Sequence, residues 1–154
     1  MRRISQLFVV LILAGAAGCS AYRDGGFERE RLRDAVKRGQ TVRLADFTPF
    51  EWDRVYYFAG YYTPRAMQKA MGTSVWFPEI AFFGQASEGD WTLVFLRGKK
   101  VQASVSDMSL QIDFDMRVTE WLPPKEAVFT PGEPNKGGWI SLKKLPNRPS
   151  QPPR

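Results

Sequence analysis

Apolar and polar positions divide the chain into short patterned stretches. Ile4 to Ala14 is an uncharged, mostly apolar run. It is too short to cross a bilayer as a helix, which takes about 20 residues. Phe27 to Arg38 is the first periodic stretch. Leu32, Ala35 and Val36 form a narrow apolar stripe at helical spacing, helped by Phe27, and Gly39 suits the position just past the last turn. Glu28 with Arg31, Glu30 with Arg33, and Asp34 with Arg38 stand at spacings that pair on a helix. Thr41 to Leu44 alternates weakly and predicts a short strand. Trp52 to Ala59 is dense in aromatic and β-branched residues and predicts a second. Gly60, Tyr61 and Tyr62 end it. Thr63 is a suitable N-cap, Pro64 suits the first helical position and Gly72 closes, so a helix is predicted over Pro64 to Met71. Its apolar side is Ala66, Met67, Ala70 and Met71.

Val75 to Phe83 is apolar but interrupted by Pro78 and Glu79, which predicts an edge strand or a bend. Ser87 to Asp90 reads as a turn. Three strands then follow in quick succession. Trp91 to Arg97 places Trp91, Leu93 and Phe95 on one face. Lys100 to Ser106 places Val101, Ala103 and Val105 inward. Leu110 to Val118 alternates most cleanly, with Leu110, Ile112, Phe114, Met116 and Val118 inward and Gln111, Asp113, Asp115 and Arg117 outward. Short turns between consecutive strands predict an antiparallel meander with one wet face. Trp121 to Pro124 ends it. Val128 to Gly138 reads as a loop, Trp139 to Leu142 as a last strand, and Leu145 to Arg154 as an extended proline-rich tail. The expected fold is α+β: an antiparallel meander sheet of about four to six strands with one or two short helices packed on one face. The expected segments are 1–18 as a removed leader, 19–26 as a tether, 27–144 as one domain and 145–154 as the tail.

Composition narrows the chemistry. At 154 residues, 44% hydrophobic and 25% charged, the chain supports one globular core. It has no histidine and a single cysteine, Cys19. That excludes His-based triads, and, with Cys19 committed to lipid as argued below, cysteine proteases, thiol redox chemistry and zinc or copper sites built on His or Cys. Carboxylate pairs, Ser-Lys arrangements and tyrosine chemistry remain. Asp113 and Asp115 share a face, but calcium wants about six to eight oxygens and no glycine-kinked acidic loop surrounds them, so a solvated face is expected. No catalytic residue, metal site or cofactor is expected.

The start of the chain carries a targeting pattern. Arg2 and Arg3 precede Leu7 to Leu13, and Ala16, Ala17 and Gly18 stand before Cys19, in the order of an export signal. Ala17-Gly18-Cys19 resembles the lipobox of bacterial lipoproteins, with Ala16 where that pattern usually has Leu. The resemblance implies that the Cys19 thiol receives diacylglycerol, that cleavage before Cys19 makes it the acylated first residue with palmitate-type chains, and, with Ser20 following, that the protein is sorted to the outer membrane facing the periplasm. Two or more acyl chains hold stably where one holds weakly. Otherwise, Cys19 is an ordinary thiol beside a normal cleavage site. A lone thiol in an oxidising compartment is a liability.

The run Phe47 to Phe58, continued by Tyr62-Thr63-Pro64, resembles a signature of small bacterial envelope lipoproteins. It implies one strand, one tight turn and one helix, and transfers no activity. Trp52, Tyr56, Tyr57, Tyr61 and Tyr62 could stack on sugar or lipid rings, with Asp53 and Arg54 as polar contacts. Core packing of alternate residues is the other reading of the same run. The formal charge is +6, of which Arg2 and Arg3 supply two. In an exported protein the remainder points to anionic headgroups or wall polymers, not nucleic acid, and ordinary solvation also accounts for it. The expectation is a membrane-anchored, non-enzymatic binding domain whose partner is an envelope protein, a wall polymer or a lipid. The alternatives are an assembly-assisting lipoprotein that docks on an outer-membrane complex, and a carboxylate-dependent hydrolase. The oligomeric state stays open.

Overall fold

The computed structural model describes residues 24–60, 62–73, 91–106, 110–117 and 119–146. The expected leader, Cys19, Tyr61, the stretch Val75 to Phe83, the expected turn before Trp91, Val118 and the expected tail from Asn147 onward lie outside the described residues. The order of elements is α1 (Arg29–Lys37), β1 (Val42–Arg43), a 3-10 turn (Leu44–Phe47), β2 (Arg54–Ala59), α2 (Pro64–Met71), β3 (Trp91–Arg97), β4 (Lys100–Ser106), β5 (Ile112–Asp115), β6 (Trp121–Leu122), β7 (Val128–Pro134) and β8 (Ile140–Lys144).

The fold is α+β, and the described residues form two helices and eight strands in two four-stranded sheets. The central sheet runs β4-β3-β2-β6 and is antiparallel throughout. The outer sheet runs β1-β7-β8-β5, antiparallel except for the parallel pair of β5 with β8. The third strand of the expected meander therefore leaves its sequence neighbours. The alternation of β5 shows that one face is buried, but it does not choose the neighbour. Phe114 packs edge-on against Trp91 at 5.1 Å and against Phe129 at 5.3 Å, and the Trp91 indole N–H donates to the Ile112 carbonyl at 2.6 Å. These contacts hold β5 across the central sheet instead of along its edge.

The helices end as their sequences predict. After α1, the Gly39 N–H donates to the Val36 carbonyl and the Gln40 N–H to the Ala35 carbonyl, a Schellman closure with Gly39 at φ +69°. At α2 the Thr63 hydroxyl accepts from the Ala66 N–H at 3.2 Å, and Gly72 sits at φ +62°. The two helices do not share a face. α1 buries Leu32, Ala35 and Val36 in the large core between the sheets, with Val55, Tyr57, Leu93, Phe95, Phe114 and Phe129. α2 buries Met67 and Met71 on the opposite face of the central sheet, against Tyr56, Phe58, Val94 and Leu96. Residues 55–58 and 91–96 are consequently buried without a break, and the expected wet face is missing from these strands. A strand covered on both sides reads as a continuous apolar run.

Two further differences have local causes. β4 carries a bulge at Gln102: Phe95 faces Ala103, and Leu96 faces Val101. One extra residue flips everything beyond it, so Val101 packs on the α2 side while Ala103 and Val105 face the large core. Val128 to Pro134, expected as a loop, is strand β7. Pro131, Gly132 and Pro134 disguise it. Its pairing with β8 shifts between Pro131 and Pro134, and β1 flanks only its Val128–Phe129 end, so the prolines withdraw few ladder bonds.

Candidate functional site

The described chain begins with a clamp. The Asp24 carboxylate accepts the Gly26 N–H at 2.9 Å and pairs with Arg29 at 3.4 Å, and its carbonyl accepts the Phe27 N–H at 3.0 Å. Gly25 sits at φ +61°, pressed against the Phe50 ring and Ala103. A Cβ there would stand 2.7 Å from Phe50 Cδ1, so the position requires glycine. The chain thus enters the domain beside β4, an edge strand of the central sheet, five positions after Cys19.

The residues of the aromatic run separate. Trp52 is buried, edge-on to Phe95 at 5.1 Å, with its indole N–H donating to the Thr48 hydroxyl at 2.8 Å. Tyr56 is buried on the α2 side and stacks with Phe58 at 6.1 Å. Tyr57 is buried on the other side, and its hydroxyl donates to Asp113 at 3.1 Å, tying β2 to β5. Burial, then the adjacent Asp113 charge, pushes the Tyr57 phenol well above its ordinary range. Tyr56 and Tyr57 are therefore core residues that offer no ring face to a ligand, because consecutive β2 positions are covered from both sides, while Trp52, 8% exposed, lines the groove described below. Tyr62 is half-buried against Phe58 at 5.6 Å. Of Trp52, Tyr56, Tyr57 and Tyr62, it alone is not part of the buried core.

Asp53 and Arg54 do come together, at the turn between β3 and β4. The Asp53 carboxylate accepts the Gly98 N–H at 2.5 Å and the Arg54 Nε–H at 3.0 Å, while the Arg54 guanidinium donates to the Gly98 carbonyl. The Gly98 N–H, aided by Arg54 and opposed by slight burial, holds the Asp53 carboxyl below the usual range. Glu51 pairs with Arg97 at 2.5 Å. These groups border an open groove of about 420 Å³ whose apolar walls are Phe50, Trp52 and Pro124. Its carboxylates already have donors, so the groove has an aromatic floor and a neutralised rim.

The sequence reading missed Trp121. It is 48% exposed on the two-residue edge strand β6, and it stands opposite Tyr56 in register, on the α2 side of the sheet. A Trp directly before Leu-Pro-Pro, where a strand must stop, was the available signal. The paired Asp113 and Asp115 are exposed on β5, and Asp113 serves Tyr57. Glu120 pairs with Lys144 at 2.9 Å, and that contact lowers its pKa. Among the described residues, no group of three His, Cys, Asp or Glu side chains could hold a metal ion, and no helix is long and apolar enough to cross a membrane. No protein-family model, curated protein or solved structure matches the chain.

Proposed function

We propose that this chain is a lipid-anchored cell-envelope protein with a non-enzymatic binding domain, held by acyl chains on Cys19 and facing the periplasm from the outer membrane. The observation that carries this reading is the clamp at Asp24–Gly26. Only Ser20 to Arg23 separate it from Cys19. Five extended steps span at most about 18 Å, so an acylated Cys19 keeps the domain close to the bilayer with its β4 edge nearest. Rigid entry directly after a short polar tether suits an anchor better than a leader cut away at random.

A binding role fits the polar chemistry. The Asp53 and Glu120 carboxyls are both pulled down by donors, which suits acceptors that brace turns and not acids that release protons. The buried aromatics favour a protein partner over a stacked sugar. Trp121, on the edge of the central sheet away from β4, is the contact for that partner. The test has two arms. Wild-type protein is expected to incorporate labelled palmitate and fractionate with membranes, and Cys19→Ala to lose both; a variant that stays in the membrane fraction refutes the anchor. A photo-crosslinker at Trp121 is expected to capture one envelope protein in intact cells, whereas the same group at Lys125 captures none.

A further inference from the structure

The clamp and the turn between β3 and β4 both lie along the β3–β4 hairpin. A Cβ at Gly25 would stand 3.2 Å from the Ala103 Cβ, and Ala103 faces Phe95 across the ladder. Gly98 follows Phe95 by three residues, just past the end of β3 and roughly 10 Å away at the rise of a strand. The turn is held rigidly. Asp53 and Arg54 bind both backbone polar groups of Gly98, and the Thr73 hydroxyl donates to the Lys99 carbonyl at 3.2 Å. Its charges are unequal. Glu51 is matched by Arg97, and Asp53 by Arg54. Lys99 and Lys100 are exposed and form no ion pair among the described residues. Two unmatched ammonium groups therefore stand at a preorganised tip, within the reach that a short tether allows.

We infer that the Lys99–Lys100 turn is a second membrane contact, docking on anionic phospholipid headgroups of the bilayer that holds Cys19. The inference rests on the anchor proposed above. The tether brings the tip near the surface at no further cost in translational freedom, and the locked turn loses little conformational entropy on docking. Each lysine is expected to contribute about fivefold to partitioning at low salt, and the pair about 25-fold.

The intact lipidated chain tests it in vesicles of phosphatidylethanolamine, with and without phosphatidylglycerol. Intact mass first shows whether Cys19 carries lipid; an unmodified chain fails the anchor reading and leaves the second arm to judge this one. Amine acylation then reports each lysine. In anionic vesicles Lys99 and Lys100 are expected to react several-fold more slowly, with recovery in high salt, while exposed Lys125 and Lys136 are unchanged. Equal rates at all four lysines overturn the inference. The second arm uses the unlipidated full mature chain, Cys19→Ser. It is expected to sediment with anionic vesicles, and the pair Lys99→Gln, Lys100→Gln to lose about 25-fold. No preference for anionic over neutral vesicles overturns the inference. Protection by soluble dextran sulfate but not by vesicles also overturns it, in favour of a polymeric anion.

Discussion

The two sheets solve the same packing problem differently. The central sheet is covered on both faces, by α2 on one side and by the outer sheet with α1 on the other. The outer sheet keeps one wet face, and β5 alternates buried and exposed residues along its length. A strand with one wet face declares its orientation in sequence. A strand with two dry faces hides it. The aromatic run belongs to the second kind, so its chemistry looked available while its rings were already committed to packing.

Four measurements would break or sharpen that contrast. Phe58→Ala on the α2 face and Phe95→Ala on the opposite face are each expected to destabilise the domain by about 3–5 kcal/mol in urea unfolding. A much smaller loss for Phe58 would mean that α2 covers its face loosely. Tyr57→Phe comes next. It removes the hydroxyl bond between the sheets and is expected to cost about 1 kcal/mol at neutral pH. The folded protein holds the Tyr57 proton more tightly than the unfolded chain does. Its contribution is therefore complete below about pH 10 and declines as pH rises beyond that. Stability curves at pH 8 and pH 10.5 should show an alkaline loss in the wild type that Tyr57→Phe reduces.

Asp53→Asn should act at the other end of the scale. The folded state lowers this carboxyl's pKa, so its contribution is present at neutral pH and disappears as pH falls through and below about 4. The variant should flatten that acid limb by less than about 1 kcal/mol, since the side chain is half exposed. Asp115→Ala, on the wet face of β5, is expected to shift stability by no more than about 0.5 kcal/mol. A loss near that of Phe58→Ala would show that this face is covered.

Local signals were legible where one residue does one job. Thr63, Pro64 and Gly72 mark α2 at the bounds observed, and Trp91, Arg97, Lys100 and Ser106 mark β3 and β4 likewise. Features that depend on distant partners were not. The bulge at Gln102 leaves no turn residue to read, and the Val101 side could be assigned only from its pairing with Leu96. β7 was hidden because Pro131, Gly132 and Pro134 break strands in isolation, whereas here β8 tolerates them. At the candidate site, Asp53 and Arg54 stood out as polar residues in an apolar run, but nothing local showed that they brace Gly98. Trp121 gained meaning only when β6 proved to be an edge.

The pairing of β1 with β7 bears on how the chain acquires its fold. Val42 meets Phe129, so β1 finds its partner only when most of the chain is available, whereas β3 and β4 can zip as a hairpin at once. Long-range closure is slow because loop entropy must be met before the contacts form. During synthesis the segment carrying β1 emerges early and waits. In that interval Val42 and Leu44, both fully buried in the end, are exposed beside an unpaired backbone. Closure of the outer sheet is therefore expected to set the pace of folding, with the β3–β4 hairpin as the surface on which it closes.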